Sequence, residues 1–197
     1  MQKLTLVTLS TLALSLTCSS VFAVDGTITI NGVVTDGTCT LIGDGEMSSG
    51  LKDLTVQLPT LPKSRFTPSN PVPFFMGFNL HLRDAAGTNF CDVATRRALK
   101  GIHLSAISPD HLDATDKTLL VNKASGASVA NPVFIQFYTL DAIPVDFSAP
   151  WGTQAKSVVQ HLSSHTFIYY RAQYASKTGI VDAQNVQAVI NYTLMYN

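Results

Sequence analysis

Histidine is the side chain best suited to ligate a metal or move a proton near neutral pH. The chain carries five: His81, His103, His111, His161 and His165. His161 and His165 are four apart, a spacing that puts two ligands on one face of a helix. They stand in Gln160-His161-Leu162-Ser163-Ser164-His165, a polar stretch leading into a strand-like run. No Glu lies between them and no third ligand is evident, so the pair reads as ordinary surface histidines. His81 alternates with Leu80 and Leu82 and belongs on the outer face of a strand. There is no Gly-X-Ser-X-Gly elbow, phosphate loop or dinucleotide fingerprint. The acidic residues are scattered, which leaves open only two carboxylates meeting in space as an acid/base pair. No catalytic or metal site is assigned, and no cofactor is expected.

The start of the chain points to export, and export bears on the cysteines. The chain opens Met1-Gln2-Lys3, runs from Leu4 to Leu16 with only Thr and Ser among the apolar residues, and reaches Val21-Phe22-Ala23. A charged start, a short apolar stretch and small residues at the cleavage positions describe a secretory signal over residues 1–23, with cleavage after Ala23. The apolar stretch is short for a membrane span. Cys18 would leave with the signal, and Cys39 and Cys91 remain. An even pair in an oxidising compartment reads as one disulfide.

Removing 23 of 197 residues leaves 174, enough for one domain with a sizeable core. Charged residues make up 13% of the chain and the two signs balance, so nothing suggests a nucleic-acid partner, which would call for a basic patch.

The elements that would carry these residues are strands. Alternation of period two recurs at Ile28–Val34, Leu54–Leu58, Phe74–Leu82, Ile102–Ile107, Leu119–Val121, Val133–Tyr138, Thr166–Tyr174 and Val186–Tyr196. About eight short strands separated by turn signals describe a β-sandwich. Pro59 to Pro73 holds five prolines and cannot be a central strand, because proline has no N–H for a ladder. It is read as a surface excursion. Cys91 to Leu99 is the best place for a short helix.

The two ends stand out. Val24, Gly26, Ile28 and Ile30 fall on one face of an extended segment, with Asp25, Thr27, Thr29 and Asn31 on the other. Such a segment can be an ordinary first strand, or it can lie along the edge of another sheet with its apolar side in a groove. At the other end Val186, Ala188, Ile190, Tyr192, Leu194 and Tyr196 share one face. A strand with nothing to cover its edge pairs readily with other chains.

Several stretches together resemble the pilin subunits of chaperone–usher fimbriae, of the type 1 and P pilus kind. They are Gly26-Thr27-Ile28-Thr29-Ile30-Asn31-Gly32-Val33-Val34 followed by Cys39, the apolar strand Phe78 to Leu82 ahead of Cys91, Phe167 to Tyr174, and the alternating end closed by Tyr196. The resemblance spans nearly the whole mature chain. It implies an all-β, incomplete immunoglobulin-like sandwich that lacks its last strand and is completed by a strand from another molecule. In such a subunit residues 24–32 form the donor extension, with Val24, Gly26, Ile28 and Ile30 as its inserted face. Residues 33–197 form the pilin domain. Val186, Ala188, Ile190, Tyr192, Leu194 and Tyr196 line the acceptor groove and pair with a chaperone's strand, and Cys39–Cys91 is the disulfide. The implied partners are identical or related pilins, a periplasmic chaperone and an outer-membrane usher. The implied destination is a fimbrium on a Gram-negative surface, reached through the periplasm.

The chain departs from the pattern in three ways. Gln184 stands fourteenth from the end, where the family usually has Gly, the eight residues between Leu82 and Cys91 leave room for an extra loop, and the donor extension begins almost at the cleavage site with little spare length. Alternative readings are a minor adaptor or tip subunit of the same system, or a secreted β-sandwich binding module or enzyme.

Overall fold

The computed structural model describes residues 39–44, 47–49 and 53–197. The expected signal segment, the donor extension with Val24, Gly26, Ile28 and Ile30, and the strand through Val33 and Val34 lie outside these residues.

The described chain is built from antiparallel strands. β1 is Thr40–Gly43, β2 Met47–Ser49, β3 Leu54–Val56, β4 Phe75–Arg83, β5 Leu99–Ala106, β6 Leu119–Leu120, β7 Phe134–Thr139, β8 Gln160–His161, β9 Thr166–Ala175 and β10 Ile190–Tyr196. One sheet has the order β1-β4-β9-β7-β6, with β8 added beside β9. A second joins β10 to β5, and β2 pairs with β3. In β4, Phe78, Leu80 and Leu82 are buried while Asn79, His81 and Arg83 point outward, the alternation expected of a strand with one covered face. Its partner β9 sets Tyr170 opposite Phe78 and Ile168 opposite Leu80, and both are buried too. Leu99, Ile102 and Leu104 of β5 close the core from the second sheet. Two sheets face to face around one core make a β-sandwich.

The expected short helix is α1, Val93–Ala98, capped by Asp92, whose carboxylate accepts the Thr95 N–H at 2.9 Å. Cys39 and Cys91 are joined as a disulfide with Cα atoms 5.8 Å apart, tying the start of β1 to the start of α1. The Pro59 to Pro73 excursion contains one 3-10 turn, Lys63–Arg65, and no long strand. The loop between Leu82 and Cys91 is present, held by the Asp84 carboxylate, which accepts from Thr88 N–H and the Asn89 amide.

The sequence pattern places the start of the last strand at Val186, but ladder pairing begins only at Ile190. The reason lies in its neighbour. Ile190 is opposite Ala106, the last residue of β5, and beyond Ala106 the chain turns away through Pro109–His111. With no strand beside them, residues 186–189 run against the loop at 122–123 instead, through Lys123 N–H to the Gln187 carbonyl at 2.8 Å and Gln187 N–H to Asn122 Oδ1 at 2.9 Å.

The edge of β5 away from β10 is covered by a side chain. Gln154, 3% exposed, accepts from Leu104 N–H at 3.0 Å and donates to the Leu104 carbonyl at 2.7 Å, as a neighbouring strand would.

Candidate functional site

The sandwich is open along one side. A groove of about 550 Å³ runs between the segment Leu54 to Leu58 and the segment Val186 to Tyr192. Its floor is the core itself: Phe78 and Leu80 from β4, Leu104 from β5, Ile135 and Phe137 from β7, and Ala172 and Tyr174 from β9. Phe78 and Phe137 meet edge to face at 5.7 Å, which fixes the floor rings in one arrangement. Tyr174 donates its hydroxyl proton to the Pro59 carbonyl at 3.2 Å, joining floor to wall. Burial pushes the Tyr174 phenol above its usual range.

The far wall carries the C-terminal alternation. Val186, Ala188, Ile190, Tyr192, Leu194 and Tyr196 are half-buried against the core, while Gln187, Val189, Asn191 and Thr193 are exposed. Burial raises the Tyr192 phenol, a hydrogen bond with Thr40 opposes that shift, and the Asp53 charge adds to it. Among the described residues, β10 pairs with β5 and no other strand joins that sheet. The groove therefore has two walls and a largely apolar floor. It offers apolar surface and a strand edge.

A second hollow of about 420 Å³ continues it past Val186, sharing Gln57, Leu58, Tyr174 and Val186 with the first. Val133, Val181 and Phe66 supply its apolar side and Asp182, Gln184 and Asn185 its rim. Sequence reasoning singled out the C-terminal wall but not the facing wall or this hollow. The alternation of Leu54, Val56 and Leu58 was a signal for a strand, but which segment it would face depends on the folded chain.

Among the described residues no histidine belongs to a group of three possible ligands, although the His81 and His165 rings lie 5.8 Å apart. His161 bonds Thr166 Oγ1 at 3.2 Å at the start of the β8–β9 hairpin, and His165 stacks between Phe90 and Phe167. His81 lies on the outer face of β4, packed on Phe167 and 3.5 Å from Asp44. Among the described residues the possible metal cluster is Cys39, Cys91 and Asp92, and its two sulfurs are bonded to each other.

No family model matches the chain. Among curated proteins it is similar to the F17 fimbrial protein of Escherichia coli, 28% identical over 179 residues that cover 90% of this chain and 91% of that one. It is also similar to the major fimbrial subunit SMF-1 of Stenotrophomonas maltophilia, 27% identical over 89% of this chain and 94% of that one. Among solved structures it matches the P pilus rod subunit PapA with a TM-score of 0.54 and 16% identity, over 87% of this chain and all of that one. The chain has the pilin fold. A subunit from a chaperone–usher pilus matches at a TM-score of 0.53 and 17% identity, over 87% of this chain and 95% of that one. As expected from the resemblance, the pilin fold here is an incomplete immunoglobulin-like sandwich, and the groove lies where Phe137, Tyr174 and the two walls are only half-buried against the core.

Proposed function

We propose that the chain is a structural subunit of a chaperone–usher fimbria, assembled by donor-strand exchange into a pilus shaft that supports adhesion. The observation that carries this reading is the apolar groove between Leu54–Leu58 and Val186–Tyr192. Phe137, Tyr174 and the apolar residues of both walls are only half-buried, and covering them gains hydrophobic stabilisation, so an inserted strand is favoured. The proposed donor is the segment around Val24, Gly26, Ile28 and Ile30, whose same-face alternation runs on through Gly32 and Val34. Burying Val24, Ile28 and Ile30 would contribute roughly 5–9 kcal/mol, and each ladder hydrogen bond about 1 kcal/mol net. A glycine in the inserted face suits a place where the donor backbone must lie close to the floor.

In this reading the donor comes from a neighbouring copy or a related pilin. Before assembly a periplasmic chaperone covers Val186 to Tyr196, and an outer-membrane usher hosts the exchange. The product is a fimbrium on a Gram-negative surface, and the subunit performs no catalysis. A shaft role is favoured over an adaptor or tip role because one relative is a major subunit and a structural neighbour is a rod subunit.

The test is thermal unfolding of the exported chain with and without a synthetic peptide of residues 24–34. At a hundred times its Kd the peptide should raise the midpoint by roughly 5–10 °C. A stable monomer that ignores the peptide would overturn the reading. A bulky replacement at Gly26 in the peptide should reduce the shift.

A further inference from the structure

The wall of the second hollow is not held by strand pairing. From Val181 to Val189 the chain belongs to no described strand, yet it must stay in place for the hollow to keep its shape. Side-chain amides do the holding. Gln184 accepts at Oε1 from Asn122 Nδ2 at 3.0 Å and from Ser128 N–H at 3.2 Å. Its Nε2 donates to the Asn131 carbonyl at 3.0 Å and to the Asp182 carbonyl at 3.1 Å. Asn122, 7% exposed, donates also to the Asn185 carbonyl at 2.7 Å and accepts from Gln187 N–H at 2.9 Å. Asp182 is bound in turn by the Ser128 hydroxyl at 2.6 Å. The Asn185 and Gln187 peptide groups and the Gln184 side chain are thus bonded across to the loop at 122–131.

An amide is the side chain that can do this, since it offers an acceptor and two donors at opposite sides of one small planar group. A glycine at 184 would offer neither and would loosen the backbone besides. The clamp stands directly beside the hollow: Asp182, Gln184 and Asn185 are its rim, and Val181 and Val186 its apolar wall.

Resting on the strand-uptake reading above, we infer that Gln184 and Asn122 are positioning residues for strand entry, keeping the hollow preformed for a small apolar side chain of the incoming segment. A site that is already formed binds without first waiting for a minor conformation, and its apparent affinity is not reduced by the fraction of competent molecules. The clamp therefore acts on the rate of uptake more than on the stability of the filled groove, where the inserted strand itself holds the wall.

The experiment uses the oxidised exported chain at low concentration and an excess of fluorescent peptide of residues 24–34, with uptake followed by anisotropy. Gln184→Ala should slow uptake by about ten-fold, as for a site populated in a tenth of the molecules. The unfolding midpoint of its peptide-filled form should stay close to that of the unaltered chain. Asn122→Ala should behave the same way and gives a second reading if Gln184→Ala does not fold. Gln154→Leu removes a buried amide on the far edge of β5, so it should lower the midpoint and leave the uptake rate alone. Unchanged uptake in Gln184→Ala, or slowing no greater than in Gln154→Leu, overturns the inference while leaving strand uptake intact. If the unaltered chain takes up no peptide, strand uptake itself fails and the inference falls with it.

Discussion

Gly179 shows how one residue type can be forced by its surroundings. Its φ is +74°, and a Cβ there would collide with the backbone carbonyl of Thr67. Its N–H is held by Ser176 Oγ at 3.0 Å, so the turn cannot rotate away from the contact. Both the left-handed backbone and the close approach admit only glycine. Gly179→Ala should destabilise the peptide-filled protein by at least about 2 kcal/mol, read from the urea midpoint. A change below 0.5 kcal/mol would mean that the turn shifts freely. The same residue scale explains why the sequence signal at 184 was hard to interpret. A glutamine in place of the family's usual glycine looks like a disturbance of the last strand, but its amide is used on both sides to hold the approach to that strand.

At the scale of elements, the turn from Asp113 to β6 carries a prediction about acid. Asp113 accepts from Lys177 at 2.9 Å, from the Thr115 hydroxyl at 2.8 Å, and from the Thr115 and Asp116 N–H groups at 3.0 Å. Burial alone would raise the carboxyl, but these donors outweigh it and hold Asp113 well below the usual carboxylate range. A folded pKa below the unfolded value of about 3.9 gives stability that is complete above that value and is lost as pH falls toward the folded one. Stability should therefore be flat from neutral pH to about pH 5 and decline below about pH 4. Asp113→Asn should lower the plateau and flatten the acid limb in urea titrations at stepped pH. An acid limb of unaltered slope would show that other carboxylates carry it.

The edges of the second sheet are treated unequally. β5 has its far edge occupied by the Gln154 amide, whereas β10 and the segment before it border the groove. On the proposed reading, a buried side chain on one edge and a half-buried groove on the other would direct strand addition to a single side, as a linear polymer needs.

For the whole molecule, the disulfide is the covalent tie between the first described strand and the helix ahead of β5. Its cysteines are 52 residues apart in sequence, so closing that loop in the unfolded chain corresponds to about 4 kcal/mol in the chain-entropy account. Cys39→Ser with Cys91→Ser should lower stability by an amount of that order, and a protein with its groove unfilled should suffer most because its core is incomplete. Denaturation of the double variant with and without the 24–34 peptide checks this. Equal midpoints for the double variant and the unaltered chain would show that the tie is dispensable.

Local pattern was enough for much of this protein. Strand alternation in Phe78-Asn79-Leu80-His81-Leu82 and in Thr166 to Tyr174, the proline-rich excursion, the short helix after Cys91 and the paired cysteines are all expressed in neighbouring residues, because burial on one face of a strand has a period of two and proline lacks a donor. The half-buried face from Val186 to Tyr196 was legible for the same reason. Tertiary structure decided what that face looks into. Only the folded chain sets Leu54–Leu58 across from Val186–Tyr192, leaves Phe137 and Tyr174 half-buried between them, and ends β5 at Ala106 so that pairing starts at Ile190. Those outcomes depend on contacts between residues far apart in the chain, as does the bond network of Gln184 with Asn122 and Asn131. No local periodicity encodes them.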